Sequence, residues 1–258
     1  MLRNIRFFTL LLIFFIISCS GKVAVRPAEK FDPEKSLTKA NEKIEKKDYE
    51  EARALLLEVK NRDLSKKFAP LAQLKIADSY VKEEEPDLAI AEYQKFLDVY
   101  PDHQYASYAQ YQIAMVYFDQ IEGSERGYGA AAKALAEFDK LKKMFPRNPY
   151  KDVVDLRIEK CRNTIADYEF LVGEFYYKKE SFSAAVVRFE ELIKNYPDYR
   201  REANVLYYTG LSYKKLGQRE KASEYLNRLI DKYPNNKLAA DAKKELARLL
   251  PRIPEPQK

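Results

Sequence analysis

The apolar and polar positions along the chain follow the pattern of repeated pairs of amphipathic helices. In residues 169–197, apolar positions recur at helical spacing on both sides of a polar turn near residues 179–181. This segment has a fixed order of small, aromatic and proline positions: Gly173, Tyr176, Ala185, Phe189 and Pro197. The small residues predict where the two backbones approach most closely. The proline predicts the end of the second helix, because it disfavours helical backbone in the residue before it.

The same order of positions recurs elsewhere in the chain. One further copy consists of Gly210, Tyr213, Ala222, Leu226 and Pro234, and another of Ala77, Tyr80, Ala89, Tyr93 and Pro101. A degenerate first copy retains Ala40, Ala52 and Leu56. A longer turn accommodates a copy made of Ala114, Tyr117, Ala134, Phe138 and Pro146. Five phased copies indicate tetratricopeptide repeats, which are helix pairs of about 34 residues.

The period of the repeat is interrupted once. Small residues recur every 37 positions in the first three copies and again in the last two, but Ala114 and Gly173 are 59 residues apart. Part of the excess falls in a turn near residues 121–129, and the rest falls after Pro146. Residues 150–179 contain no proline and a single glycine. We therefore predict one long helix there, extended by about 21 Å at 1.5 Å per residue.

These patterns predict an all-α fold, an α-solenoid of five tetratricopeptide-like helix pairs with a C-terminal capping helix. Residues 36–146 should contain pairs one to three. Residues 147–250 should contain the long connecting helix, pairs four and five, and the capping helix. Asn236 is expected to cap that last helix, whose polar outer face keeps a terminal repeat soluble. Residues 251–258 contain three prolines and are expected to form a flexible tail.

The first residues have the pattern of an export signal. Two arginines precede an apolar run over residues 7–17, which is too short to span a bilayer. The run ends in a serine and Cys19, which resemble the acylation site of bacterial lipoproteins. We predict a lipoprotein signal peptide over residues 1–18, and a lipidated Cys19 with a flexible tether over residues 19–35. No aspartate follows the cysteine, which favours the outer membrane. An ordinary secretory leader or a membrane anchor is the alternative.

Composition and residue types argue against an enzyme. The formal net charge is +6, from 46 basic and 40 acidic residues, without the concentrated basic stripe of a nucleic-acid binder. The single histidine, His103, lies between repeats, so no second histidine supports a metal site or a nucleophile–base pair. Cys161 is expected to be a small buried residue, with a reactive thiol as the alternative. We predict no catalytic activity, cofactor or metal.

In a stacked array of helix pairs, the first helix of each pair is expected to line a groove. In the first three pairs this groove is apolar and rich in aromatic residues, which predicts binding of an extended peptide. The predicted peptide-binding residues are Asn41, Asp78, Tyr108, Tyr111, Met115 and Phe118. The equivalent positions of pairs four and five are more basic, and predict an acidic partner bound by Tyr177, Lys178, Tyr207 and Lys214. Alternatively, several of these aromatic residues belong to the core between repeats.

The chain combines a lipoprotein signal, a short tether, a long turn in the third repeat and a long helix that enters the fourth. Three local segments add to this pattern: Tyr117–Gln120, Arg162–Asn163 and Glu169–Ala185. Together these features resemble the BamD family of outer-membrane assembly lipoproteins. The resemblance implies a non-enzymatic subunit of the machinery that inserts β-barrel proteins, anchored by lipid in the outer membrane and facing the periplasm. It implies docking of the C-terminal repeats on the periplasmic domain of the barrel subunit BamA. It also implies capture of targeting segments of unfolded outer-membrane proteins by the N-terminal repeats.

The resemblance also implies other accessory lipoproteins as partners. No nucleic-acid partner is expected. The alternative from the same structural class is a periplasmic repeat adaptor that coordinates envelope constriction or peptidoglycan synthesis. Such adaptors usually have an N-terminal coiled coil, and no sustained heptad pattern precedes Ser36. An enzyme such as a peptidoglycan hydrolase is the alternative from another class.

Overall fold

The computed structural model describes residues 31–249, and this part of the chain is helical without strands. The helices are α1 (Pro33–Glu45), α2 (Tyr49–Arg62), α3 (Ala69–Lys82), α4 (Pro86–Val99), α5 (Ala106–Asp119), α6 (Gly129–Met144), α7 (Lys151–Lys178), α8 (Phe182–Asn195), α9 (Glu202–Lys215), α10 (Arg219–Lys232) and α11 (Lys237–Leu249). A short 3-10 turn, Ser124–Arg126, lies between α5 and α6. The predicted all-α class is confirmed.

Each helix packs mainly against the helices before and after it in sequence. Because the connections are short, neighbouring helices run antiparallel and form five pairs, from α1–α2 to α9–α10. The small residues of the repeat lie at the contacts, as predicted. Those with no exposed surface are Ala40, Ala52, Ala77, Ala89, Ala114, Ala134, Ala185 and Ala222. The sequence register of the repeats is therefore the register of the packed helices.

Four of the turns within pairs share a backbone conformation that could not be predicted from the repeat pattern. Lys47, Glu84, Glu180 and Gly217 occupy equivalent positions after α1, α3, α7 and α9, and all have positive φ, between 57° and 75°. The next N–H donates to a carbonyl five residues earlier, as in the bond from Asp48 to Lys43. This is the Schellman closure, in which one left-handed residue satisfies the carbonyls at a helix end. Only the last of the four turns uses glycine there.

The long helix is confirmed as α7, a continuous helix of 28 residues. Its first half packs Val154, Cys161 and Ile165 into a core shared with α6. Its second half places Phe170 in a different core, against Phe189 of α8. One rigid element therefore belongs to two successive cores, because its extra residues separate α6 from α8.

The last helix is capped as expected. The Leu238 N–H donates to Oδ1 of Asn236 at 2.9 Å, and the Ala239 N–H donates to the carbonyl of Asn236 at 2.9 Å. Ala242 of α11 is fully buried in a core with residues of α9 and α10. This arrangement covers the apolar end of the fifth pair, so α11 is the predicted capping helix.

At the N-terminal side, α1 begins at Pro33, inside the predicted tether of residues 19–35. Proline is favoured in the first turn of a helix, where its missing N–H costs no hydrogen bond. Leu37, Ala40 and Ile44 then form the buried face of α1. The predicted signal peptide, Cys19, most of the tether and the tail over residues 251–258 lie outside the described residues.

Candidate functional site

Two of the predicted peptide-binding residues bind each other. The carboxylate of Asp78 on α3 accepts hydrogen bonds from the hydroxyls of Tyr93 on α4 at 2.5 Å and Tyr108 on α5 at 2.9 Å. Burial raises the pKa of Asp78 above its ordinary value, although both hydrogen bonds act in the opposite direction. Burial and the adjacent carboxylate also raise the pKa of each tyrosine. Asp78 therefore ties the second pair to the start of the third.

Tyr111, Met115 and Phe118 on α5 face the long helix. All three are partly buried and pack against the core shared by α5, α6 and α7. The Tyr111 ring stacks on Tyr150, with centroids 4.1 Å apart and planes inclined by 14°. The Phe118 ring meets Phe138 edge-on at 5.9 Å. These aromatic residues therefore belong partly to the core between repeats, which was the alternative interpretation of their pattern.

Two cations of α7 lie over the same rings. The Arg157 guanidinium is 5.5 Å from the Tyr111 centroid and 5.6 Å from that of Phe118, and the Lys160 ammonium is 4.9 Å from the Phe118 centroid. The Arg157 Nη1 atom is buried and has no hydrogen-bond acceptor among the described residues. We call Tyr111, Met115, Phe118, Arg157 and Lys160 the aromatic–cation face. Its two cations could not be predicted from the sequence, because nothing in the repeat pattern shows which face of α7 meets α5.

The six predicted residues lie in three local settings. Asp78 and Tyr108 belong to the contact between the second and third pairs, whereas Tyr111, Met115 and Phe118 belong to the aromatic–cation face. Asn41 is exposed on α1, where its Oδ1 accepts a hydrogen bond from Lys75 Nζ at 2.7 Å. The single open peptide groove stays a prediction, and in each of the three settings the predicted residues also contact the next pair or the long helix.

The four predicted partner-binding residues lie in the last two pairs. Tyr177 meets Phe182 and Tyr208 edge-on, and Tyr207 meets Tyr208 in the same way. Lys178 is exposed and pairs with Glu174 at 2.9 Å. Lys214 pairs with Glu245 of α11. Thus Lys214 fastens the capping helix to α9, and Lys178 is the more exposed of the two predicted cations.

A cleft of about 300 Å³ opens between α6, the middle of α7 and the α8–α9 connection. Its walls carry both signs of charge, including Arg162, Glu159 and an ion pair of 2.6 Å between Lys142 and Asp155. The Oδ1 atom of Asn163 accepts a hydrogen bond from the Arg200 N–H at 3.3 Å. This cleft is absent from the sites predicted from the sequence. The available signal was the extension of α7, which holds α6 and α8 apart.

Buried carboxylates connect the later pairs. Asp167 of α7 accepts a hydrogen bond from the Tyr199 hydroxyl at 2.6 Å and another from Arg200. Glu202 is 1% exposed and is bound by Arg228 at 3.0 Å and by Lys232. Each carboxylate is satisfied by groups from a neighbouring helix or connection, so these residues fix the stacking of pairs and offer no free acid for catalysis.

The described part of the chain holds no grouping of three or more His, Cys, Asp or Glu residues suited to a metal ion. Cys161 is buried, and burial raises the pKa of its thiol to about 11, which makes it a core residue with little thiolate at neutral pH. His103 lies in the α4–α5 connection, packed between the rings of Phe96 and Tyr105. Within residues 31–249, no helix combines the length and the hydropathy that crossing a membrane requires.

Comparison with known families gives a match over most of the chain. The family model of YfiO, described as an outer membrane lipoprotein, matches residues 30–225, which run from just before α1 into α10. The outer membrane protein assembly factor BamD of Rickettsia prowazekii is 27% identical over 194 residues, covering 75% of this chain and 77% of that protein. BamD of Neisseria meningitidis serogroup A is 26% identical over 213 residues, covering 79% of this chain and 80% of its own length.

Similar solved structures are tetratricopeptide proteins of low sequence identity. The TPR2AB domain of yeast Sti1, solved in a complex with pHSP90, is 17% identical with a TM-score of 0.46, covering 84% of this chain and 86% of that one. YrrB, a tetratricopeptide protein described as having an unusual peptide-binding site, is 20% identical with a TM-score of 0.33, covering 83% of this chain and 92% of that one.

Proposed function

Since this chain belongs to the YfiO family of outer membrane lipoproteins, we propose that it is a non-enzymatic assembly factor for outer membrane β-barrel proteins. The observation that carries this proposal is the similarity to proteins named outer membrane protein assembly factor over about three quarters of the chain. The geometry is compatible with a scaffold, because the buried carboxylates of Asp167 and Glu202 are bound within the fold and the Cys161 thiol is buried.

We further propose that the first three pairs bind targeting segments of unfolded barrel proteins at the aromatic–cation face. Tyr111 and Phe118 keep part of their surface exposed, and rings of this kind offer rigid apolar contact area at low entropic cost. The Arg157 guanidinium lies over both rings and adds positive charge to this face. An extended segment with aromatic side chains and backbone carbonyls or carboxylates has the matching chemistry.

In this proposal the remaining predicted residues have different roles. Asp78 and Tyr108 position α5 through their mutual hydrogen bond. Met115 supports the two rings from within the same core. Asn41 is exposed, and its amide nitrogen offers a donor to the backbone of a longer segment that extends toward α1.

The last two pairs are proposed to dock on the periplasmic domain of the barrel subunit BamA. Tyr177 and Tyr207 are partly exposed rings on neighbouring helices, and aromatic residues are enriched at interface cores. Lys178 adds exposed positive charge beside them. Lys214 contributes indirectly, because its ion pair with Glu245 holds α11 against α9. Other accessory lipoproteins are further proposed partners.

The location follows from the same proposal. Acylation of Cys19 would anchor the chain in the outer membrane, and the helix pairs would face the periplasm. Several acyl chains on one terminus anchor stably, because each buried methylene contributes about 0.8 kcal/mol. The sequence pattern at Ser18 and Cys19 and the lipoprotein family support this location.

An affinity purification from detergent-solubilised membranes tests the proposed function. We expect a large β-barrel protein to copurify with the intact chain. A variant with Lys178→Glu and Tyr207→Ala should recover less of it, while the matched charge change Lys46→Glu, at an exposed residue before α2, should not. Recovery of cell-wall synthases in place of a barrel protein would contradict the proposal and favour the adaptor for envelope constriction.

A further inference from the structure

Two connections between helix pairs carry cations beside strongly exposed apolar side chains. In the α2–α3 connection, Leu64 is 97% exposed and is followed by Lys66 and Lys67. Around the α6–α7 connection, Met144 is 48% exposed, and its neighbours with positive charge are Lys143, Arg147 and Lys151. Among residues 31–249, none of these five cations has an ion-pair partner within 4 Å, so their charge is presented to solvent.

These connections lie at the same edge of the helix array. In a series of antiparallel helices, every connection between pairs is at one end, and every turn within a pair is at the other. The α4–α5 connection therefore lies between the two basic ones, and there Val99 is 64% and Tyr105 is 42% exposed. The first residue of α1, Pro33, is at this edge as well. The chain that precedes the array thus joins it at the edge with the exposed apolar tips.

The opposite edge of the first three pairs carries more acidic residues, although its α1–α2 turn contains Lys46 and Lys47 beside Asp48. The α3–α4 turn consists of Glu83, Glu84 and Glu85, and Glu122 lies between α5 and α6. On the basic edge, the acids of the α4–α5 connection are Asp98 and Asp102. Positive charge is accordingly concentrated at the two outer connections, and the charge difference between the edges orients the array in an external field.

We propose that the edge formed by the α2–α3, α4–α5 and α6–α7 connections rests on an anionic phospholipid surface. Single apolar side chains at the tips of connections can enter the headgroup region, and the adjacent cations are attracted to anionic lipids. The tips of Leu64, Val99 and Met144 belong to separate connections, which suits a lipid surface better than the contiguous hydrophobic core of a protein interface. The inference rests on the proposed anchoring at Cys19, which would hold the edge near the bilayer.

The test uses the acylated full chain in vesicles of phosphatidylcholine, with or without phosphatidylglycerol. Single cysteines replace Leu64, Met144 and, on the opposite edge, the exposed Asp87, and each is labelled with a fluorophore. Cys161 is buried with its thiol pKa raised to about 11, so the introduced thiols react selectively. Brominated lipids should quench the labels at positions 64 and 144 in anionic vesicles at least twofold more than in neutral ones. The label at position 87 should remain unquenched in both.

A charge-reversal variant distinguishes contact of the edge with lipid from anchoring by the acyl chains. The variant Lys66→Glu, Lys67→Glu, Arg147→Glu should lose the quenching at both positions and still float with the vesicles. The matched variant Lys46→Glu, Lys47→Glu on the opposite edge should behave like the parent. Labels at 64 and 144 that stay unquenched in anionic vesicles, on protein that floats, would overturn the inference. Protection of those labels only on addition of an acidic protein partner would likewise overturn it. Failure to float would contradict the anchoring itself.

Discussion

Gly173 of α7 lies directly against the ring of Phe189 on α8. A Cβ atom placed on Gly173 would be 2.4 Å from Cε1 and 2.7 Å from Cδ1 of that ring. Non-bonded carbon atoms do not approach so closely, so the ring or the helix would have to shift. Phe189 is fully buried in a close-packed core, which leaves its ring little room to move. The absence of a side chain at position 173 is thus a packing requirement of the fourth pair.

This contact predicts that Gly173→Ala destabilises the protein. Overpacking of this kind costs about 1–3 kcal/mol, and the gain in helix propensity, about 1 kcal/mol, offsets part of that loss. Urea unfolding followed by circular dichroism measures the change. Gly129→Ala is the matched control, because a Cβ there meets no atom within 4 Å. Equal stability of the parent and Gly173→Ala would contradict the assigned packing.

At the turn residues with left-handed backbone, we expect one substitution to lower the stability of the protein and another to raise it. Gly217 has a φ of 75°, so Gly217→Ala should lower stability by about 1 kcal/mol. Glu84 has a φ of 63° at the equivalent turn, and Glu84→Gly should raise stability by a fraction of that amount. Thermal unfolding of both variants checks the pair. A shift of both melting temperatures in the same direction would argue against the shared turn conformation.

Glu202 should give the protein an acid-sensitive contact. Burial opposes its ionisation, but hydrogen bonds from Lys232 and Tyr233 and the charge of Arg228 outweigh burial and hold the pKa of Glu202 below its ordinary value of 4.5. A lowered pKa in the folded state means stability that is present above about pH 4.5 and lost as the pH falls through the folded value. Glu202→Gln should therefore cost about 1–3 kcal/mol at pH 7, as expected for a disrupted buried charge network.

The pH dependence of that cost is the diagnostic measurement. Urea unfolding at several values between pH 7 and pH 3 should show the difference between the parent and Glu202→Gln shrinking at the acidic end. Glu191→Gln serves as the control, because Glu191 is exposed and only weakly paired with Arg188 at 3.8 Å. A difference that stays constant with pH would mean that the carboxylate is not stabilised in its charged form.

The aromatic–cation face predicts a specific loss of peptide affinity. Tyr111→Ala with Phe118→Ala should weaken binding of a labelled C-terminal barrel peptide at least about tenfold, or roughly 1.4 kcal/mol. Arg157→Gln keeps both rings. It should weaken peptide binding and disturb the core less than the double alanine variant does. Binding of the periplasmic partner domain should change little, since it is assigned to other pairs. Fluorescence anisotropy gives the affinities, and circular dichroism reports whether each variant is folded.

The peptide affinities test the aromatic–cation face only in variants that remain folded. A folded Arg157→Gln or double variant with parental peptide affinity would refute the assignment of this face. If the double variant unfolds while Arg157→Gln binds normally, the two aromatic residues serve the core alone. Tyr207→Ala is the matched control for loss of a partly buried ring in the other half of the chain.

Cys19→Ala should abolish lipid anchoring. Without the thiol no acyl group can be attached, so the protein should appear in the soluble fraction or retain its leader. Membrane fractionation and incorporation of labelled palmitate measure this result. Labelled palmitate on a Cys19→Ala protein that still fractionates with the outer membrane would show that the anchor is elsewhere.

The sequence alone determined the helices, their pairing and the contacts at the small residues. These features depend on local periodicity: an alanine or glycine at a fixed place in each repeat, a proline after the second helix of pairs two to five, and Asn236 before the last helix. The break in the period was sufficient to locate the long helix, because a helix adds a fixed rise for each residue. The burial of Cys161, expected from its place in the middle of that helix, is confirmed.

Only the tertiary structure decided how successive pairs contact each other. Tyr111 and Phe118 lie on the predicted face of α5, but Arg157 and Lys160 of α7 partly cover them. Asp78 turned out to be bound by Tyr108, and Lys214 by Glu245. These contacts join residues about 30 to 45 positions apart and depend on the angle and height at which one pair stacks on the next. A repeat pattern fixes each pair, but that angle arises from the packing of all the side chains between pairs.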